Sequence, residues 1–162
     1  MANCAVRSLS VARNLALRRF DRAPLARFGL LRPGALRHEA LSQIADYRIR
    51  TPGPDARLET LSGGNVQRVV LARELADGTG LLIAQNPCFG LDAVSTADIR
   101  SRILKAREDG AAVLLISEDL DEVLALSDRV AVISRGRIAH HATRATADRA
   151  IIGKNMMGEV VG

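Results

Sequence analysis

Aromatic side chains are almost absent from this 162-residue chain, which has no tryptophan, one tyrosine and three phenylalanines. Hydrophobic residues still make up 48% of the sequence, so leucine, isoleucine, valine and alanine must build the core. Cysteine is scarce too. Cys4 and Cys88 lie far apart without a CxxC spacing, which argues against a disulfide framework and a cysteine metal site. No apolar run is long enough to span a membrane. The composition predicts one domain, soluble or peripheral to a membrane, in a reducing compartment.

Lysine is equally rare, with two residues against 21 arginines, and the positive charge is concentrated in the first third of the chain. Residues 1–50 hold ten arginines and three acidic residues, a net charge of +7, which leaves −2 for the remainder. Such a basic module is typical of proteins that bind nucleic acid or an anionic membrane surface. Nucleic acid is disfavoured, because no aromatic residues that would stack on bases are interleaved with the arginines.

Apolar periodicity predicts an order of elements that changes after residue 76. Two amphipathic helices come first, at 10–20 and 35–46, and a third follows at 66–76. Strands and helices then alternate. The strands are predicted at 81–84, 112–116, 129–134 and 137–142, and the helices at 95–108, 119–126 and 145–158. The first two strands are apolar throughout, which predicts parallel strands buried on both faces under helices. Arg135-Gly136 predicts a hairpin between the last two.

The turn Ser62-Gly63-Gly64 is the most informative stretch of the sequence. It lies at the N-terminus of the third predicted helix, where unpaired N–H groups and the helix dipole favour an anion. Phosphate is the natural candidate. The alternative, equally open on these residues alone, is a turn in which Ser62 serves only as a helix N-cap.

The longer segment decides between them. Residues 61–75, LSGGNVQRVVLAREL, resemble the signature segment of ATP-binding cassette (ABC) ATPases, in the form typical of sugar and nucleoside importers. Residues 81–92, LLIAQNPCFGLD, resemble the Walker B strand and D-loop of that family, and residues 111–138 resemble its switch strand and closing strands. The resemblance covers nearly the whole chain and is strongest to the second cassette of those importers.

The resemblance implies a particular fold. We expect an α/β chain, a partial P-loop-type ABC ATPase cassette that lacks the N-terminal Walker A portion, with a helical subdomain preceding a mainly parallel sheet. Residues 1–60 would be the remainder of the helical subdomain, and residues 61–162 the signature helix and the C-terminal half of the ATPase core. The phosphate-cradling GxxxxGK[ST] sequence does not occur. We therefore expect either a piece of a longer gene or a truncated product.

The same resemblance assigns site residues. The nucleotide-binding set is Ser62, Gly63, Gly64, Asn65 and Gln67, and Asp92 belongs to the D-loop. For Asn65 and Gln67 two roles stay open, since they either line the phosphate-facing turn or only begin the helix. Asp92 likewise either caps the next helix or contacts a second cassette.

Three positions depart from the hydrolytic pattern of the family. Gln85 and Asn86 stand where Walker B has Asp-Glu, and Glu118 stands at the switch position, where the family usually has histidine. An amide is a poor Mg²⁺ ligand compared with a carboxylate, and it cannot act as a general base. No intact catalytic set and no metal set is therefore predicted. Cys88 replaces the usual threonine and is predicted to be a buried small hydrophobe.

The favoured interpretation is an ATP-binding part of a sugar or nucleoside importer, at the cytoplasmic face of the membrane. ATP and Mg²⁺ would lie at a site shared with a partner cassette, and membrane permease subunits would be further partners. One alternative is a non-catalytic relic or regulatory fragment. Another is a soluble ABC protein that acts on nucleic acid or ribosomes.

Overall fold

The computed structural model describes residues 5–76 and 78–158. Within them the elements follow the predicted order closely. They are α1 (Val11–Ala16), β1 (Ala26–Arg27), β2 (Leu30–Leu31), α2 (Pro33–Asp46), α3 (Gly63–Leu75), β3 (Leu81–Gln85), α4 (Ala93–Glu108), β4 (Ala112–Ile116), α5 (Leu120–Leu126), β5 (Arg129–Ser134), β6 (Arg137–Thr143) and α6 (Arg149–Met156). Cys4 lies outside the described residues, and Cys88 is a free thiol.

The first core cluster joins α1, α2 and α3. It is built from small and branched side chains, as the shortage of aromatic residues requires. Its buried members are Val11, Ala12, Leu15, Ala40, Ile49, Leu58, Val66, Val69 and Ala72. The fully buried Asn14 attaches the preceding segment to this core, because its side chain exchanges two 2.9 Å hydrogen bonds with the backbone of Val6.

Helix α1 is shorter than predicted. Ser10 caps it as expected, with its hydroxyl accepting from the Arg13 N–H, but the helix ends at Ala16 rather than at residue 20. Beyond it the chain makes turns in which the N–H groups of Leu17, Arg19 and Arg22 bond three residues back, such as Arg19 N to Ala16 O at 2.8 Å. Tight turns of this kind do not continue the helical period that the sequence pattern suggested.

A short hairpin between the first two helices was not predicted. Strands β1 and β2 pair antiparallel, with Arg27 opposite Leu30. Phe28 and Gly29 form the turn, and both have positive φ angles (52° and 77°). A two-residue hairpin turn with positive φ at both residues has a twist that matches the twist of its strands. Pro33, read from the sequence as part of a break, is instead the first residue of α2, a position that tolerates proline.

The parallel pair predicted from the apolar runs is formed by β3 and β4, with Leu82 opposite Val113 and Gln85 opposite Ile116. Helix α4 covers one face. Beneath it the second core cluster contains Leu71, Leu82, Ile99, Ile103 and Leu126.

The prediction that these strands are buried on both faces is wrong. Leu81 and Ile83 are 59% and 60% exposed, and Leu114 and Ile116 are about half exposed. Because side chains alternate along a strand, one face of the pair packs on α4 and the other faces outward. Among the described residues, the apolar side chains on the outer face of this strand pair are thus left uncovered.

The β5–β6 hairpin confirms the sequence prediction. Its strands pair antiparallel from Arg129 opposite Thr143 to Ser134 opposite Arg137, and Arg135-Gly136 form the turn. A third core cluster, Val130, Val132 and Ile152, holds α6 against this hairpin. Asp148 caps α6 by accepting from the N–H groups of Ala150 and Ile151, so the helix begins four residues later than predicted.

The α/β class and the small parallel sheet agree with the expectation. Parallel pairing is confined to β3 and β4 in the described residues, and the other two strand pairs are antiparallel. The division at residues 60 and 61 stays a prediction.

The exposed face of β3–β4 leads to a first prediction. Ile83→Ala should leave the free energy of unfolding nearly unchanged, within about 0.5 kcal/mol, because Ile83 is already largely hydrated. Leu82→Ala, on the buried face of the same strand, should cost about 2–5 kcal/mol. Urea unfolding of both variants measures the difference.

The exposed face should also bind a hydrophobic dye and promote self-association. Ile83→Ala should then lower dye fluorescence relative to the unchanged protein. A monodisperse monomer without dye binding would contradict this view of the outer face.

Candidate functional site

The signature turn presents Ser62 and Gly63 at the surface. Ser62 is the N-cap residue of α3 and has extended backbone angles (φ −62°, ψ 155°). Within the described residues its hydroxyl makes no capping bond. Instead Ser62 Oγ accepts a 2.9 Å bond from the Asn65 side-chain amide. A hydroxyl that accepts one bond keeps its own proton available, so Ser62 can donate to an external acceptor.

Asn65 holds this turn in place. Besides donating to Ser62, its Oδ1 accepts from the Arg50 backbone N–H at 2.8 Å. Its side chain therefore links the start of α3 to the segment that follows α2. The first N–H groups of a helix lack partners inside the helix. The turn can therefore receive an anion, which satisfies those donors and is stabilised by the helix dipole.

The two glycines have different surroundings. A Cβ at Gly63 would meet no heavy atom within 4 Å, whereas a Cβ at Gly64 would lie 3.2 Å from Leu91 Cδ2. Gly64 thus allows α3 to approach the loop between β3 and α4 closely. Gly63 leaves open space where another molecule can approach the backbone.

Gln67 lies deeper than the rest of the predicted nucleotide-binding set. Its side chain is buried, and its Nε2 donates to the backbone carbonyl of Phe89 at 3.2 Å. This bond and the contact between Gly64 and Leu91 join the signature helix to the predicted D-loop. A direct contact between Gln67 and a nucleotide stays a prediction.

Asp92 is a helix cap in this structure. Its Oδ1 accepts from the Ser95 N–H and its Oδ2 from the Ser95 hydroxyl, both at 2.9 Å. These hydrogen bonds from Ser95 lower the pKa of the Asp92 carboxyl. The predicted contact of Asp92 across a cassette dimer stays a prediction.

The three positions that depart from the family pattern, Gln85, Asn86 and Glu118, come together at the carboxyl ends of β3 and β4. Asn86 follows β3, its N–H donates to Ile116 O at 2.7 Å, and its Oδ1 accepts from the Glu118 N–H at 3.3 Å. The φ angle of Asn86 is +45°, a left-handed conformation that asparagine tolerates better than most residues. The Asn86 amide therefore connects the ends of the two strands. Gln85 and Glu118 are exposed beside it.

A cavity of about 430 Å³ lies next to these strand ends, and Cys88, Arg100 and Glu122 are among its lining residues. Glu122 is only 2% exposed, and its Oε2 accepts from the Ser117 hydroxyl at 2.6 Å. Burial of the thiol and the neighbouring Glu122 carboxyl raise the pKa of Cys88 to about 12, although Arg100 acts in the opposite direction. Cys88 is half-buried, in partial agreement with the prediction of a buried small residue.

Sequence reasoning missed Glu122 and a second polar cluster. Arg68, on α3, lies 3.5 Å from Asp98 on α4 and donates to the backbone carbonyls of Tyr47 and Arg48. Arg102 also pairs with Asp98 and stacks on the Tyr47 ring at 4.1 Å. This cluster ties the end of α2 to both α3 and α4. The signal available in the sequence was the spacing of Asp98 and Arg102, four residues apart on one helix.

Mg²⁺ binding finds no support in the geometry of this chain alone. The described residues contain no group of three or more histidine, cysteine, aspartate or glutamate side chains that could hold a metal ion. At the strand ends the amides of Gln85 and Asn86 offer carbonyl oxygens, which are neutral, and the carboxylates of Glu118, Asp119 and Glu122 lie around the neighbouring cavity. The signature turn, by contrast, fits an anion such as a phosphate group.

Comparison with known proteins gives the geometry a context. No protein-family model matches the chain. The nucleoside import ATP-binding protein NupA of Lactococcus lactis is 35% identical over 153 residues, which cover 94% of this chain and 30% of that protein. The glucose import ATP-binding protein TsgD13 of Haloferax volcanii is 40% identical over 155 residues, 93% of this chain and 28% of that protein.

By sequence and fold the chain belongs to the ATP-binding cassettes of ABC transporters. A dimeric structure of the ATP-binding cassette MJ0796, bound to ADP and Pi, superposes with a TM-score of 0.72 at 22% identity, over 86% of this chain and 59% of that one. The cassette chain spans about 30% of the length of the curated relatives that it matches. Among residues 5–76 and 78–158 no helix is both long and apolar enough to cross a membrane.

The raised pKa of Cys88 gives a second prediction for this cassette. The thiolate is the reactive form, so at pH 8 a pKa of about 12 should slow alkylation of Cys88 by on the order of 10²–10³ relative to the unfolded chain. The measurement is mass spectrometry of the Cys88 peptide after timed iodoacetamide treatment, with and without urea. Equal rates in the folded and unfolded protein would show that the cavity does not protect the thiol.

Proposed function

We propose that this cassette supplies the signature turn to the ATP site of a partner cassette, within an importer of sugars or nucleosides. Its own strand ends would not carry out hydrolysis. The single observation that carries the proposal is the contrast between two places. The turn at Ser62 and Gly63 is open and rich in donors, whereas Gln85 and Asn86 present only amides.

The first support comes from the signature turn. Ser62 keeps its hydroxyl proton for an external acceptor, because Asn65 already donates to Ser62 Oγ. The Gly63 and Gly64 amides lie at the helix N-terminus. Donors fixed in this way stabilise negative charge that develops on a transferring phosphoryl group without having to reorganise. In the proposed assembly the partner cassette would hold most of the ATP and its Mg²⁺.

The second support comes from the strand ends. Asn86 is occupied in a structural role, since its backbone and side chain both bind the end of β4. An amide cannot accept a proton from an attacking water as a carboxylate does. We therefore assign no general base to this cassette and give Asn86 the role of fixing the loop.

The link between α3 and the predicted D-loop would let one cassette affect the other. Gln67 bonds Phe89, and Gly64 permits the close approach of Leu91. Contact of a partner's nucleotide with the signature turn would thus affect the position of the loop that leads into α4. Arg68 would extend this link to the end of α2, because its guanidinium donates to the backbone carbonyls of Tyr47 and Arg48.

The names of the relatives motivate the remaining part of the proposal. They are described as import ATP-binding proteins for nucleosides, glucose and ribose. We propose membrane permease subunits as further partners and the cytoplasmic face of the membrane as the location of this cassette. The basic residues of the first fifty would then lie toward the permease or the lipid headgroups.

The third prediction concerns the chain by itself. The purified protein should show no ATP hydrolysis with Mg²⁺ and at most weak ATP binding, because Gln85 and Asn86 place amides, which cannot act as a general base, where the family has Asp-Glu. Steady-state phosphate release measures this. Ser62→Arg is the control for contaminating ATPase, and turnover that this variant abolishes would refute the assignment.

The fourth prediction compares the signature turn with the strand ends in a reconstituted two-cassette importer. Gly63→Asp should lower ATP hydrolysis by at least about 10²-fold, since it places a negative charge where the phosphoryl charge develops. It should leave the fold intact, because a Cβ at Gly63 meets nothing within 4 Å. Asn86→Gly should keep most of the activity, because glycine accepts the positive φ at residue 86.

Gly64→Asp is a weaker probe of the same turn, since the new side chain would also press on Leu91. Asn86→Ala is less suitable as a partner variant, because alanine is strained at a positive φ. Steady-state ATPase and thermal unfolding are measured for each variant. The proposal fails if Asn86→Gly proves more damaging to hydrolysis than Gly63→Asp while both proteins remain folded.

A further inference from the structure

The β1–β2 hairpin exposes large apolar side chains at its tip. Phe28 is 90% exposed and Leu30 is 73% exposed, and Leu31 is also outside the core. All three phenylalanines of the chain are exposed, and Phe28 is more exposed than Phe89 at 78% and Phe20 at 52%. The core clusters leave these side chains without cover in the described residues.

The base of the hairpin is firmly attached. Leu25 is buried, and its carbonyl accepts from the Arg32 N–H at 2.8 Å. The Ala26 N–H donates to Arg22 O, also at 2.8 Å. Phe28 lies in the left-handed region, which is uncommon for a bulky residue. The hairpin is thus hydrogen-bonded at its base and exposed at its tip.

Positive charge surrounds the tip. Residues 18–32 contain five arginines and one acidic residue, Asp21. Arg27 lies over the Phe28 ring at 5.1 Å, and neither Arg27 nor Arg32 has a carboxylate partner in the described part of the chain. Arginines beside an apolar tip can place their guanidinium groups among phosphate headgroups while the tip enters the apolar layer.

We propose that this hairpin is a lipid anchor, which inserts Phe28 and Leu30 into the interface of an anionic membrane. A specific protein partner would need a contact of roughly 800 Å² on each side, far more than a two-residue turn offers. A lipid surface needs no matched shape and rewards apolar insertion together with positive charge. The inference rests on the proposed location at the membrane, which it narrows to one hairpin, and it involves no permease and no nucleotide.

The absence of tryptophan makes the test direct. Phe28→Trp places the sole tryptophan of the protein at the tip. On vesicles of phosphatidylcholine with phosphatidylglycerol its emission should shift to shorter wavelength, and lipids brominated on their acyl chains should quench it. Phe89→Trp is the matched control, since Phe89 is also exposed but lies in the loop before α4. Its emission should not change.

Charge reversal gives a second, independent readout. Arg27→Glu with Arg32→Glu should weaken partitioning onto anionic vesicles by at least about tenfold. Arg135→Glu with Arg137→Glu makes the same change in net charge at the β5–β6 turn, and should weaken it less, because charges beyond a Debye length of about 8–10 Å are screened. Circular dichroism confirms that each variant is folded, and Leu30→Trp replaces Phe28→Trp if that variant is not.

The proposal is overturned if the tip tryptophan is unchanged by anionic vesicles, if pure phosphatidylcholine gives an equal shift, or if Phe89→Trp responds equally. Equal losses from the two charge reversals would also overturn it. In each case the proposed role of the signature turn would be untouched.

Discussion

Burial of helix α3 on two sides is the constraint on which the rest of this cassette depends. Val66, Val69 and Ala72 pack into the cluster formed with α1 and α2, and Leu71 packs into the cluster under α4. The helix is therefore the shared wall of both clusters. The signature turn at its N-terminus inherits a fixed position from this packing, although Ser62 and Gly63 themselves make few contacts.

Local patterns gave most of the fold correctly. The caps of α1 and α4 and the turn at Arg135-Gly136 depend on residues close together in sequence. The parallel pairing of β3 with β4 joins strands far apart in sequence, and it was predicted from two apolar runs with a helix between them. The β1–β2 hairpin escaped prediction because Phe28 is not a typical turn residue. The exposure of Ile83 escaped it because hydrophobicity indicates where a side chain is favoured, not whether anything covers it.

The residues of the candidate site could be predicted from the sequence, but the contacts between them could not. Ser62, Gly63 and Gly64 stand out by residue type, and the amides at Gln85 and Asn86 stand out by what they replace. No local pattern could pair Gln67 with Phe89, or bring Glu122 beside Cys88. Those contacts arise from long-range packing, which brings loops from different elements to the same edge of the sheet.

The left-handed backbone at Asn86 has a consequence for how this position can vary. Aspartate shares the tolerance of asparagine for that conformation and has nearly the same shape. A single exchange of nitrogen for oxygen would introduce a carboxylate at the strand end without demanding a new backbone path. The side-chain chemistry at residue 86 can thus change without a change in the backbone, so this loop is a suitable place to engineer a carboxylate into the cassette.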